Sequence, residues 1–262
     1  MRYPLKNKIC LLVLLGIILV ACNNPKVKEE EQALSDVISK SDDGGDNPCL
    51  LAYAEKYDEL FTFDEAVKIT GLAKADGEME YNKVLHNVAY HDISYEWPSD
   101  RKRTVKAAGM EVEIPDKNQI EISGIEPQKL AYFKNAYSSK TEAELAEAKE
   151  SVDKTLDEAY EGKSENERAN KAMEKVKDMG QSKKDVKKVT DNLVGGTFSQ
   201  IAKSYSPVDH LADAASWNSF EQCLYLLKNG VKVKITANLS ADANYNKNKA
   251  IEIAKLILAK CN

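Results

Sequence analysis

The stretch from Gln222 to Leu258 constrains the fold of this chain most tightly. Gln222–Lys228 runs into Asn229-Gly230, the strongest short hairpin signal, because a two-residue type I′ loop needs positive φ at both central positions. Beyond it Val231, Val233, Ile235, Ala237 and Leu239 alternate with Lys232, Lys234, Thr236 and Asn238, which makes one strand face apolar and the other polar. A final helix then sets Ala250, Ile251, Ala254, Ile257, Leu258 and Cys261 on one side at helical periodicity. An amphipathic helix that follows an amphipathic strand is expected to pack on the sheet.

Earlier segments add the remaining layers. Leu50, Leu51, Ala54, Tyr57, Leu60 and Phe61 recur at helical spacing over 50–60, and Thr62 with Glu65 forms a capping box ahead of a short helix stopped by Gly71. His91, Ile93, Tyr95 and Trp97 alternate with polar partners, which predicts a half-buried strand closed by Pro98. Met110–Gly124 reads as a hairpin turning at Pro115–Asn118. From about 127 to 194 the pattern changes to charged helices with narrow apolar stripes. Their starts are expected at Ser139…Glu142 and Ser164…Glu167, and their stops at Gly162, Gly180 and Gly195-Gly196. The predicted class is α+β: an antiparallel sheet packed by N- and C-terminal helices, with a helical insertion at about 127–194.

The N-terminus speaks to location. Arg2, Lys6 and Lys8 precede an apolar run of about a dozen residues, too short to span a bilayer, which needs ~20. It ends Leu19-Val20-Ala21-Cys22 and resembles the lipobox of bacterial lipoproteins. That resemblance implies a signal peptide over 1–21 and acylation of Cys22; an ordinary signal peptide with a chance cysteine is the other reading. Residues 22–48, with Lys26-Val-Lys-Glu-Glu-Glu and Asp-Asp-Gly-Gly-Asp, read as an acidic tether, and 49–262 as the domain. As flexible coil the tether would reach about 30 Å. The expected site is the bacterial cell envelope, at the outer membrane, on either face. Removing 1–21 takes three basic residues from 37, leaving 34 Lys+Arg against 42 Asp+Glu. This balance argues against nucleic acid as a partner and leaves membrane attachment to the lipid. Of the cysteines that remain, Cys49 and Cys261 would tie the ends of the domain together if oxidised; buried free thiols are the alternative.

The order of elements resembles small bacterial lipoprotein domains of unassigned function, some with a PsbP/Mog1-like fold. The likeness is carried by Thr62-Phe-Asp-Glu-Ala-Val-Lys-Ile-Thr-Gly71, by Ser94-Tyr-Glu-Trp97, and by Val208-Asp-His-Leu-Ala-Asp-Ala-Ala-Ser-Trp217 leading to Leu224-Tyr-Leu-Leu-Lys-Asn-Gly230. The family's turn reads Leu-Gly-Asp-x-Ala, where this chain has Ala212 in place of the glycine. The resemblance implies a fold and a compartment and brings no catalytic residues.

Chemical motifs are sparse. His86 and His91 are five apart, on opposite faces of an extended strand, and no CxxC or HxxxH pattern supports a metal. Asp209 and His210, with Ser204 and Ser206 upstream, write out a triad without the Gly-x-Ser-x-Gly elbow. Gly195-Gly196-Thr197 follows a helix, the wrong order for cradling phosphate. Arg101-Lys102-Arg103 is the one basic cluster of the folded part, either a head-group contact or a solvated loop. Trp97 extends an inward stripe, whereas Trp217 fits core and ligand groove equally. The sequence therefore predicts a non-catalytic binding or assembly module with no cofactor or metal. Its candidate contacts are Trp217, His210, Arg101, Lys102 and Arg103, and an envelope protein is the expected partner. The alternatives are a hydrolase built on Asp209/His210 or unrecognised carboxylates, and a small-ligand sensor with an apolar pocket of ~300 Å³ or more between sheet and helices.

Overall fold

The computed structural model describes residues 47–83, 90–107 and 110–261. The expected signal peptide, Cys22, most of the expected tether and His86 lie outside the described residues. The fold is α+β, in two units: Lys140–Lys203, and the described residues of Asp42–Ser139 with Ser204–Asn262. Among the described residues no helix is long and apolar enough to cross a membrane.

The second unit opens with three short helices, α1 (Pro48–Ala52), α2 (Tyr57–Leu60) and α3 (Phe63–Thr70). Where one helix was expected over 50–60 the chain breaks at Tyr53–Lys56, which lets Tyr57 turn inward and become fully buried. The strands are β1 (Glu78–Asn82), β2 (Asp92–Trp97), β3 (Lys102–Ala107), β4 (Met110–Pro115), β5 (Asn118–Pro127), β6 (Tyr205–Pro207), β7 (Ala214–Asn218), β8 (Cys223–Lys228) and β9 (Val231–Asn238). Helix α4 (Leu130–Ala136) follows β5, and α9 (Ala243–Ala259) closes the chain; α5 to α8 belong to the other unit.

Seven strands pair antiparallel in the order β1-β2-β5-β9-β8-β7-β6, while β3 and β4 form a separate two-stranded sheet. The hairpin expected over Met110–Gly124 is thus not formed. β4 turns back on β3, with Val112 opposite Val105, and β5 inserts between β2 and β9. A buried central strand gives Ile120 and Ile122 more apolar cover than a solvated hairpin would. The Asn229-Gly230 hairpin forms as read, with φ of 46° and 75° at its two residues.

On one face of the sheet Ile93, Tyr95, Trp97, Ile122, Leu224, Leu226, Val233 and Ile235 meet α1–α3 and the Ala250, Ile253, Ala254, Ile257 side of α9. Side chains pin this core to distant backbone. β5 carries an irregularity between Ser123 and Glu126, with Gly124 at φ 64°, a conformation that suits glycine. The bulge leaves the Ile125 N–H without a ladder partner, and it donates instead to the Tyr57 hydroxyl at 3.0 Å. Tyr95 donates to the Phe61 carbonyl, and Trp97 Nε1 to that of Ala73 at 3.1 Å. Lys260 donates to the Leu60 carbonyl at 2.7 Å and meets Glu65 at 2.8 Å, and a disulfide joins Cys49 to Cys261 across Cα atoms 5.5 Å apart.

The other unit is helical: α5 (Glu142–Tyr160), α6 (Glu167–Asp178), α7 (Lys183–Asn192), a π-turn over Leu193–Phe198 and α8 (Ser199–Lys203). Its limits differ from the expected 127–194. Residues 127–139 belong with the sheet, because α4 buries Phe133 against Cys223, Tyr225 and Leu227. The helices continue past Gly195-Gly196 because the π-turn carries them through. The caps also shift. Thr141 pairs with Glu144 and Ser182 with Asp185, whereas Asn166 accepts from the Ala169 N–H at 3.2 Å in place of the expected Ser164 box. Leu156, Ala159, Ala169, Met173, Val176 and Val186 form a small core, and the Lys140 N–H donates to the Ala202 carbonyl at 2.9 Å, which brings the unit's two ends together.

Candidate functional site

The second face of the sheet is apolar only where β8 crosses it. β8 is buried on both sides: Leu224 and Leu226 face the main core, while Cys223, Tyr225 and Leu227 face α4. Tyr137, just after α4, stacks on Tyr225 with centroids 4.3 Å apart and planes at 21°. Tyr205 from the edge strand β6 meets Tyr137 edge-on at 6.0 Å, and Phe133 lies 4.8 Å from Tyr137. Four aromatic rings from three separate parts of the chain thus form one wall.

Along that wall runs a cleft of about 400 Å³, lined by Phe133, Tyr137 and Tyr205 on the aromatic side and by the β6–β7 connection Val208–Asp213 on the other. Ser138, Ser139 and Lys134 complete the rim. His210 sits here, exposed, at φ 60°, a left-handed conformation uncommon outside glycine and, among other residues, adopted most by asparagine, aspartate and histidine. The left-handed position in this turn is therefore His210, whereas Ala212 keeps negative φ.

The polar groups of the cleft fall into two sets. Some are committed: Ser206 Oγ donates to the Trp217 carbonyl at 3.4 Å, Ser216 Oγ to the Ser206 carbonyl at 3.3 Å, and Asp213 accepts from the Asn229 N–H and faces Lys228 at 3.6 Å. Asp209 and His210 make no hydrogen bond or ion pair among the described residues and face solvent. Asp209, His210 and Ser206 accordingly do not join into a relay: the hydroxyl is turned to backbone and no bond orients the imidazole.

Tyr205 and Tyr225 are neutral donors rather than acid–base groups. Burial, followed by the Glu221 carboxylate, pushes Tyr205 up to about 12, and burial with Cys223 and Glu221 pushes Tyr225 higher still. The Tyr225 hydroxyl donates to Glu221 at 3.2 Å. Cys223 is a buried thiol pushed up to about 11 by burial, so it is a poor nucleophile at neutral pH. Beside Tyr137, Lys232 pairs with Glu126; burial favours its neutral amine, but Tyr137 and the carboxylate hold it charged.

The other sequence candidates sit elsewhere. Trp217 is 3 % exposed and belongs to the main core, so it offers no contact surface. Arg101 is an internal pin: it meets Asp116 at 3.3 Å and donates to the Asn238 side chain at 2.9 Å and to the Asn238 and Lys117 carbonyls at 3.0 and 2.9 Å. Lys102 and Arg103 are exposed and lie beside Glu113 and Asp116. His91 is buried on the inward stripe of β2. The helical unit has an open groove of about 730 Å³ between Lys183, Lys184, Lys187, Lys188 and Asp157, without aromatic lining. Among the described residues no group of three or more His, Cys, Asp and Glu converges to hold a metal ion.

Sequence reasoning found His210 but not the cleft. Phe133, Tyr137, Tyr205 and Tyr225 are spread over some 90 residues and show no shared spacing. One signal was present: the unbroken apolar run Cys223–Leu227 reads as a strand covered on both faces, which requires a second layer. Comparison with protein-family models, with curated proteins and with solved structures finds no match.

Proposed function

We propose that this chain is a lipid-anchored bacterial envelope protein that works by binding, with its ligand held in the cleft between α4 and the β6–β7 connection. The observation that carries the reading is the cleft itself. An aromatic wall stands opposite Asp209 and His210, two polar side chains with no partner among the described residues, in a volume within the ~300–1,000 Å³ range of ligand pockets. The same groups are not assembled for chemistry, because Ser206 and Ser216 are bonded to backbone and Tyr205 stays protonated.

The anchor rests on Leu19-Val20-Ala21-Cys22 and the acidic tether, and the disulfide suits an oxidising compartment outside the cytoplasm. The alternative of small-ligand sensing requires an apolar pocket between sheet and helices. On the α9 face that space is filled by a solid core, so the binding reading moves to the opposite face.

Two measurements test this. Cys22→Ser is expected to move the protein from the membrane to the soluble fraction, and continued membrane association would remove the anchor. A photo-crosslinking residue in place of His210, in the full lipidated chain in cells, is expected to capture a ligand that the same residue in place of Glu147 in the helical unit does not. Equal capture from both positions, or none from His210, would overturn the cleft as the binding site.

A further inference from the structure

We infer that the cleft takes a short neutral saccharide. This deepens the binding reading and rests on it. The ligand class follows from which chemistries the lining would leave unsatisfied. A purely apolar ligand would cover Asp209 and His210 and strand a carboxylate and an imidazole away from water, at a cost that hydrophobic contact with two partly exposed rings offsets poorly. An anionic ligand would meet the Asp209 carboxylate, unpaired among the described residues, which offsets the ammonium of Lys134, while Lys228 is already taken by Asp213. A peptide that added a strand to the sheet would have to pair with β6, but that edge is three residues long and ends in Pro207, which has no N–H to give.

A sugar ring satisfies every part of the lining. One face of a pyranose carries C–H groups that lie well on an aromatic ring, and the partly exposed Tyr137 and Tyr205 supply such rings above the buried Phe133. Its hydroxyls donate and accept at once. They can donate to the Asp209 carboxylate, which only accepts, and exchange either role with the His210 imidazole, which carries one donor and one acceptor when neutral. These are the groups that the protein leaves without internal partners, while Ser206, Ser216 and Asp213 are already taken. At about 400 Å³ the cleft has room for roughly one to two sugar rings, the end of a chain or a short fragment.

The test is ligand-observed saturation-transfer NMR on the full lipidated protein in phospholipid nanodiscs, since glycoside detergents would compete for the cleft. Three probe sets are compared: neutral trisaccharides of glucose, mannose and N-acetylglucosamine, a uronic-acid trisaccharide, and tripeptides. The expected result is saturable binding of a neutral trisaccharide, weakened about tenfold or more by Asp209→Ala and by His210→Ala, as for losing a hydrogen bond to a charged or polar anchor. Both residues are exposed, so the variants are expected to melt with the parent. Binding of the uronate or of tripeptides instead, with the same sensitivity to the two variants, overturns the saccharide and leaves the cleft as a binding site. Binding that ignores both variants, or no binding by any probe, overturns the saccharide and the cleft together.

Discussion

The sheet unit and the helical unit hold themselves together by different means. In the first, Tyr57, Tyr95 and Trp97 are buried around Phe61 and bond to backbone far away in sequence, as when Tyr57 takes the N–H of Ile125. In the second, six aliphatic side chains make the core, and the polar bonds lie at its surface: local capping pairs such as Thr141 with Glu144 and Ser182 with Asp185, and exposed or half-exposed ion pairs between helices such as Lys149 with Asp191 and Lys183 with Asp157. A fold closed by non-local bonds can hold a shaped surface, because each wall of a cleft is fixed from a different part of the chain. Helices of about 60 residues with a small aliphatic core and surface ion pairs are expected to be marginal by themselves. The aromatic cleft lies on the first unit, and the second presents a charged open groove.

Both tryptophans of the chain, Trp97 and Trp217, are buried in the sheet unit, so their fluorescence reports on that unit alone. The largest separation is expected on breaking the disulfide, which closes a span of 212 residues. Reduction or Cys261→Ser is expected to remove about 2–5 kcal/mol from the sheet unit in urea titrations followed by tryptophan fluorescence. Amide exchange in Glu142–Tyr160 is expected to stay unchanged, and faster exchange there would join the two units into one cooperative body. Core truncation divides them next. Ile235→Ala is expected to cost about 2–5 kcal/mol and to lower the fluorescence midpoint, while Met173→Ala, with a similar local cost, lowers helical ellipticity and leaves that midpoint in place. A fluorescence shift with Met173→Ala would break the comparison.

Tyr57→Phe is smaller and sharper. It keeps the ring and strands the Ile125 N–H at the bulge, for about 1–3 kcal/mol, measurable in the same titration. A neutral outcome would mean that water satisfies that group. The smallest effect is one of pH. Burial works against the Glu65 carboxylate, but the Lys260 ammonium and the Thr62 N–H and hydroxyl prevail and hold it below its ordinary 4.5. A depressed carboxyl stabilises the fold above its unfolded value and loses that contribution as pH falls through the folded value. The stability gap between the parent and Glu65→Gln is therefore expected to be full at neutral pH and to shrink once the medium is more acidic than 4.5. A gap independent of pH would assign Glu65 a packing role only.

What could be read in advance was what is local. The Thr62–Glu65 box, the Asn229-Gly230 turn and the alternation of His91–Trp97 each fit in a few residues, and each stands in the structure as read. Where a local pattern was satisfied twice, it misled. Ser139…Glu142 and Thr141…Glu144 both have capping-box spacing, and the helix starts from the second. Pairing was harder, since nothing near Met110–Asn118 says that β5 must slot beside β9, more than 100 residues later. The candidate site was the least legible part. His210 could be named from its type, whereas its neighbours Phe133, Tyr137 and Tyr205 are brought to it only by tertiary packing.

The central claim is that the sheet unit, with its cleft, stands without the helical one. Because the Lys140 N–H meets the Ala202 carbonyl at 2.9 Å, a short glycine–serine link can replace the residues between them without stretching the sheet unit. The direct measurement is thermal unfolding of that shortened chain by tryptophan fluorescence. A single cooperative transition within a few degrees of the full chain's is the predicted result. Loss of the transition would show that the helices complete the core and that the cleft depends on both units.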